Sequence, residues 1–85
     1  MDQRYLLSSE EIHIGDRVEY AGFPGRVVLV IDRNEWPDDE SVESQAWWRS
    51  EYGSGFLLVT DTGGRIFLPD ADDNLIFVSR SRAVA

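Results

Sequence analysis

Hydrophobic and polar positions alternate along much of this chain, and the alternation predicts strands. In Arg17-Val18-Glu19-Tyr20, Val18 and Tyr20 fall on one side and Arg17 and Glu19 on the other, the pattern of a short half-buried strand. Gly15-Asp16 reads as a turn before it, and Ala21-Gly22-Phe23-Pro24-Gly25 as a turn cluster after it. Arg26 to Arg33 is the strongest strand. Val27, Leu29 and Ile31 are expected on one face and Val28 and Val30 on the other, so both faces are covered, as where a strand curls through a small barrel. Gly55–Thr60 and Arg65–Leu68, joined by Asp61-Thr62-Gly63-Gly64, predict a hairpin. Pro69 ends it, 70–74 is a polar turn, and Leu75 to Ser79 is the last strand, with Leu75 and Phe77 opposed to Ile76 and Val78. Ser8 to Glu11 fits either one capped helical turn or an extended lead-in, with Ile12 and Ile14 alternating around His13. About five short strands with no βαβ pattern predict a mainly β fold, a small antiparallel barrel whose closure removes exposed edges. The reading is of one domain over 1–85, the barrel over about 15–80, and flexible ends at 1–11 and 81–85.

One stretch breaks the pattern. The connection from Asn34 to Ser54 holds all three tryptophans, Trp36, Trp47 and Trp48, together with Tyr52. It also holds five carboxylates, Glu35, Asp38, Asp39, Glu40 and Glu43, before its first base, Arg49. Most connections in compact domains run about 4–6 residues, and longer ones are functional or disordered. Disordered linkers are poor in aromatics. Rigid aromatics beside uncompensated charge suit a protein-recognition surface, so these nine side chains are the candidate partner-binding set. Within the stretch, residues 41–52 predict a short helix capped by Ser41 and stopped at Gly53. Helical spacing sets Trp47 beside Glu43 and Glu51, and Trp48 beside Ser44 and Tyr52. Adjacent tryptophans cannot both face a core. Trp48 with Tyr52 is expected to pack on the barrel and Trp47 to be partly exposed; the competing reading has all three tryptophans closing a barrel end. Phe67, between inward Ile66 and Leu68, is expected to point out, under the long connection.

Composition narrows the function classes. At 85 residues with 42% hydrophobic and 12% aromatic content, the chain folds as a globule. A domain of this size buries only roughly 60–65% of its unfolded surface, so its core is modest. Without cysteine there is no disulfide, thiolate metal site or cysteine nucleophile. Sixteen acids against eight bases, all arginine, leave a net charge of −8. That argues against nucleic acid and anionic membranes as ligands, and for a basic partner. The apolar run Tyr5-Leu6-Leu7 is too short for a signal-peptide core, and no segment approaches the ~20 apolar residues of a membrane span. The expectation is a cytoplasmic protein.

Chemistry-bearing residues are sparse. His13 is the single histidine, with no nucleophile motif to serve as base, and reads as a surface or strand-edge residue. Asp70, Asp72, Asp73 and Asn74 are oxygen-rich but lack calcium-loop spacing, and read as a solvated turn. No enzyme, cofactor or metal site is expected.

Gly15-Asp16-Arg17-Val18, Tyr20, Gly22 and Pro24-Gly25-Arg26-Val27 together resemble the opening hairpin of SH3-like barrels, a style shared by translation-factor KOW modules and Tudor-type domains. More narrowly, residues 15–80 resemble small acidic immunity proteins of bacterial polymorphic-toxin (contact-dependent or type VI secretion) systems. The resemblance is carried by that opening run, by Gly63-Gly64-Arg65-Ile66-Phe67-Leu68, and by the acidic turn at 70–74. It implies a non-catalytic cytoplasmic protein that neutralises one cognate toxin. The acidic aromatic loop is then expected to seat in a basic cleft of that toxin, and the free protein is expected to be a monomer or weak dimer. The alternative is a nucleic-acid- or ribosome-associated adaptor. It would need a basic face from Arg17, Arg26, Arg33 and Arg65, or an aromatic cage from Tyr20, Phe23 and Trp36.

Overall fold

The computed structural model of the chain describes residues 3–80. Five antiparallel strands, β1 (Asp16–Tyr20), β2 (Phe23–Val30), β3 (Phe56–Thr60), β4 (Arg65–Leu68) and β5 (Leu75–Arg80), form one sheet in the order β4-β3-β2-β1-β5. One helix, α1 (Val42–Tyr52), lies between β2 and β3. The fold is therefore mainly β. β4 and β5 are the two edges, so the sheet is open.

Local chemistry explains the elements. The two-residue loop Ala21-Gly22 has φ of 50° and 88°, as a tight hairpin of the right twist requires, and it sets the register Tyr20↔Phe23. This pairing starts β2 three residues before the predicted Arg26, through Phe23 and Pro24. Ser41 caps α1 by accepting the Ser44 amide at 3.1 Å, and Gly53, at φ 74°, ends it.

β2 departs from the expected alternation. Its register to β3 slips between Val27 and Leu29: Val27 faces Leu58, Leu29 faces Leu57, and Val30 faces Phe56. Val28 is the extra residue of a bulge, which resets which face each later side chain occupies. Val27 and Val30 therefore join one cluster, while Leu29 and Ile31 join the other, with Val28 packed against them. The predicted grouping of Val27 with Leu29 and Ile31 is corrected accordingly. Strict period-2 counting cannot register an inserted residue.

The main cluster draws on every strand: Val18, Val27, Val30, Phe56, Leu58, Leu68 and Leu75. Tyr5 and Ile12 complete it from the N-terminal side. Gln3 to Ile12 doubles back on itself, with Ile12 N–H donating to Gln3 O at 3.0 Å and Tyr5 N–H to Glu10 O at 3.0 Å. Setting residues 1–11 aside as a flexible end is thus corrected for residues 3–11. One large ring explains it, since Tyr5 packs on Phe77 with ring centroids 5.1 Å apart. The expected tail at 81–85 lies outside the described residues.

The Tyr5 hydroxyl donates to Asp16 at 2.8 Å. Asp16 is fully buried and also accepts from the His13 amide at 3.0 Å and Arg80 Nε at 2.9 Å. This carboxylate ties the N-terminal turn, β1 and β5 together. Burial, then the Asp16 hydrogen bond, pushes the Tyr5 phenol far above its ordinary value.

Candidate protein-binding surface

The second cluster lies on the other face of β2 and β3, and it seats the acidic connection. Leu29, Ile31 and Leu57 form its base, with Trp36, Trp48 and Phe67 packed against them. After β2 the chain reverses tightly. Val30 and Glu35 exchange backbone hydrogen bonds of 2.9 and 3.0 Å, and Asn34 takes a φ of 55° at the corner. Asn34 Oδ1 then accepts from Trp36 Nε1 at 2.7 Å and from the Arg49 guanidinium, which sits 5.4 Å from the Trp36 ring centroid. Both ends of the connection are pinned this way.

No residue of α1 is fully buried, so the helix is held by its rings. Tyr52 lies 4.1 Å from Phe67 between centroids, and Trp48 stacks on Tyr52 at 5.3 Å. Gly55 underlies this stack. It has φ 119°, and a Cβ there would meet Phe67 Cζ at 2.6 Å. Trp47 meets Trp48 edge-on at 5.2 Å and stays 51% exposed. The two indoles therefore part as their adjacency leads one to expect: Trp48 is seated and Trp47 stands out. Phe67 lies under the long connection, as expected from its place between Ile66 and Leu68.

The nine candidate residues do not all share one environment. Asp38, Asp39 and Glu43 are exposed and form no ion pair among the described residues. Glu40 is half-buried and accepts from the Ser44 hydroxyl. Tyr52 is 47% exposed despite its stacking. Trp36 is half-buried under Arg49. Glu35 turns inward instead. It accepts from the Ile14 amide at 2.8 Å and meets His13 Nδ1 at 2.7 Å, while His13 Nε2 reaches Glu11 at 3.2 Å. That His13 contact, then Arg33, holds the Glu11 carboxyl below its ordinary range. His13 and Glu35 therefore serve as a structural clasp between the N-terminal turn and the corner after β2. The turn at 70–74 is organised by Asp72, which accepts from the Tyr20 hydroxyl at 2.8 Å and the Asn74 amide at 2.9 Å. Among the described residues no ring contact joins Trp36 to Tyr20 or Phe23.

Between the acidic connection and the sheet lies a cleft of about 550 Å³. Asp39, Glu40, Ser44 and Trp47 form its outer lip, Val28, Leu29, Leu57 and Trp48 its apolar floor, and Arg26, Val59 and Arg65 its sheet-side wall. Sequence reading missed this arrangement. Arg26 and Arg65 are two of the four arginines that a basic face would need, and the structure separates them from the other two, because Arg17 pairs with Asp61 and Arg33 with Glu11. Among the described residues no helix is long and apolar enough to cross a membrane, and no group of three or more His, Asp or Glu side chains is placed to hold a metal ion. The chain matches no family model, no curated protein and no solved structure.

Proposed function

We propose that the protein is a non-catalytic binding module that neutralises a basic protein partner, acting as an immunity protein acts on its cognate toxin. One observation carries this reading. Three carboxylates without ion-pair partners among the described residues, Asp38, Asp39 and Glu43, share one connection with a half-exposed indole, Trp47, which rests on a pinned stack of rings and lines the cleft with Asp39. Unpaired acids steer a basic cleft into encounter, and a preorganised aromatic supplies the buried anchor that slows dissociation. On this reading the surface consists of Asp38, Asp39, Glu40, Glu43, Trp47 and Tyr52. Trp36 and Trp48 support it, and Glu35 locks its base. The protein works in the cytoplasm, as a monomer or weak dimer until the partner arrives.

The SH3-like part of the reading draws support from the meander whose fifth strand returns beside the first, and from a core fed by all five strands. The adaptor alternative needs a continuous basic face. Pairing of Arg17 and Arg33 with acids leaves only two of its four arginines for that face.

Capture of the partner from the native cell, followed by association kinetics across ionic strength, tests the proposal. Asp38→Asn with Asp39→Asn should slow association and flatten its salt dependence while the fold is kept. An unchanged association rate removes the acidic lip from the mechanism. Binding of labelled oligonucleotides at low salt would favour the adaptor instead.

A further inference from the structure

Arg26 and Arg65 are unusual in this chain. Both are exposed, neither forms an ion pair among the described residues, and both line the cleft. Strand register explains their convergence. Val59 on β3 pairs with Arg26 on β2 and with Arg65 on β4, so the three form one row across the sheet. Their Cα atoms flank Val59 at two strand spacings, roughly 9–10 Å apart, a span that two guanidiniums leaning over Val59 can close on one anion. The opposite lip is acidic, through Asp39 and Glu40. A polyanion would meet repulsion there. A single carboxylate turned toward the sheet, on an otherwise neutral or basic segment, would not.

We propose that the cleft is a seat for one carboxylate side chain of an extended partner segment, gripped by Arg26 and Arg65 over Val59. The flanking apolar side chain of that segment lies on Leu29, Leu57 and Trp48, beneath Trp47. The inference rests on the protein-binding reading above and adds a second contact of opposite sign to it. Basic residues of the partner face the acidic lip, and one of its acids enters the cleft. Such a two-signed surface rejects partners that are merely basic, because they leave the arginine pair desolvated and unmatched.

The seat can be probed without the partner. The isotopically labelled protein is titrated by NMR with Ac-Ala-Leu-Glu-Ala-NH₂, with its glutamine and lysine counterparts, and separately with acetate, inorganic phosphate and a short oligonucleotide. The glutamate peptide should shift the Arg26 and Arg65 Nε–H signals together with the Trp47 indole N–H. The glutamine and lysine peptides should not. Arg26→Gln or Arg65→Gln should each weaken glutamate-peptide binding about tenfold, and the double variant should abolish the preference for glutamate over glutamine. Thermal unfolding of the variants confirms the fold, since both side chains are exposed. Equal shifts from glutamate and glutamine peptides would overturn the proposal. So would equal or stronger shifts from phosphate or the oligonucleotide, or a double variant that binds like the parent. Because the probes contain no toxin, a negative result here leaves the acidic-lip reading intact, and a partner indifferent to Asp38 and Asp39 leaves the seat intact.

Discussion

Trp47 and Trp48 are neighbours in sequence, yet their replacement by alanine should have opposite consequences. Trp47 is 51% exposed. An indole covers up to ~250 Å² when buried, so roughly 125 Å² remains for a partner to cover. At about 25 cal/mol per Å² that area contributes about 3 kcal/mol to binding, or about two orders of magnitude in Kd. Within the fold, Trp47 makes edge-on contacts with Trp48 and Tyr52. Losing them should cost about 1–2 kcal/mol, since an aromatic pair contributes about 0.5–1.5 kcal/mol beyond area. Trp48 packs on Leu29, Ile31 and Leu57 and stacks on Tyr52 and Phe67. Trp48→Ala should cost about 3–5 kcal/mol of stability, a large part of the roughly 5–15 kcal/mol available to a small domain. Urea unfolding of both variants measures the stability terms. Dissociation kinetics against the captured partner measure the binding term. Acrylamide quenching should be weaker in Trp47→Ala than in the parent, because the most accessible indole is gone. The reasoning is refuted if Trp47→Ala unfolds as readily as Trp48→Ala, or if it leaves the dissociation rate unchanged.

Three further outcomes are expected. Asp16→Ala should cost about 3–5 kcal/mol, because Arg80 loses its buried counterion and the Tyr5 hydroxyl and His13 amide lose their acceptor; a loss under about 1 kcal/mol in urea unfolding would contradict the burial argument. The raised Tyr5 phenol contributes stability that is complete below the ordinary tyrosine value of about 10 and declines as pH rises above it, because only the unfolded chain then releases the proton. The urea midpoint should therefore fall above about pH 10, and Tyr5→Phe should remove much of that slope; an unaltered slope refutes the linkage. Gly55→Ala should destabilise by more than about 1 kcal/mol, since φ 119° disfavours a side chain and the new Cβ would displace the Phe67 ring. The near-UV circular dichroism of the stacked rings should change with it, and an unchanged spectrum would place the strain elsewhere.

Local signals made the strands and the helix legible. Alternation marked β1 and β5, Ser41 and Gly53 bracketed α1, and the adjacency of Trp47 and Trp48 required that one of them face away from the core. Each of these depends on residues a few positions apart, where backbone geometry alone sets the side-chain directions. What remained hidden depends on residues far apart in the chain. The bulge at Val28 is a property of the β2–β3 pairing, visible only when both strands are in register. Tyr5 enters the core because Phe77 on β5 offers its ring a packing partner and the buried Asp16 on β1 accepts from its hydroxyl. Glu35 reads as one more acid of the loop, and the reversal at Asn34 turns it onto His13 and the Ile14 amide. Arg26 and Arg65, 39 positions apart (65 − 26), face one cleft only because Val59 pairs with both. Local pattern and composition set the elements, the charge and the aromatic content of this protein. Which face each later β2 side chain takes and which arginines share a wall were decided by strand register, because register is a long-range packing outcome that no single segment encodes.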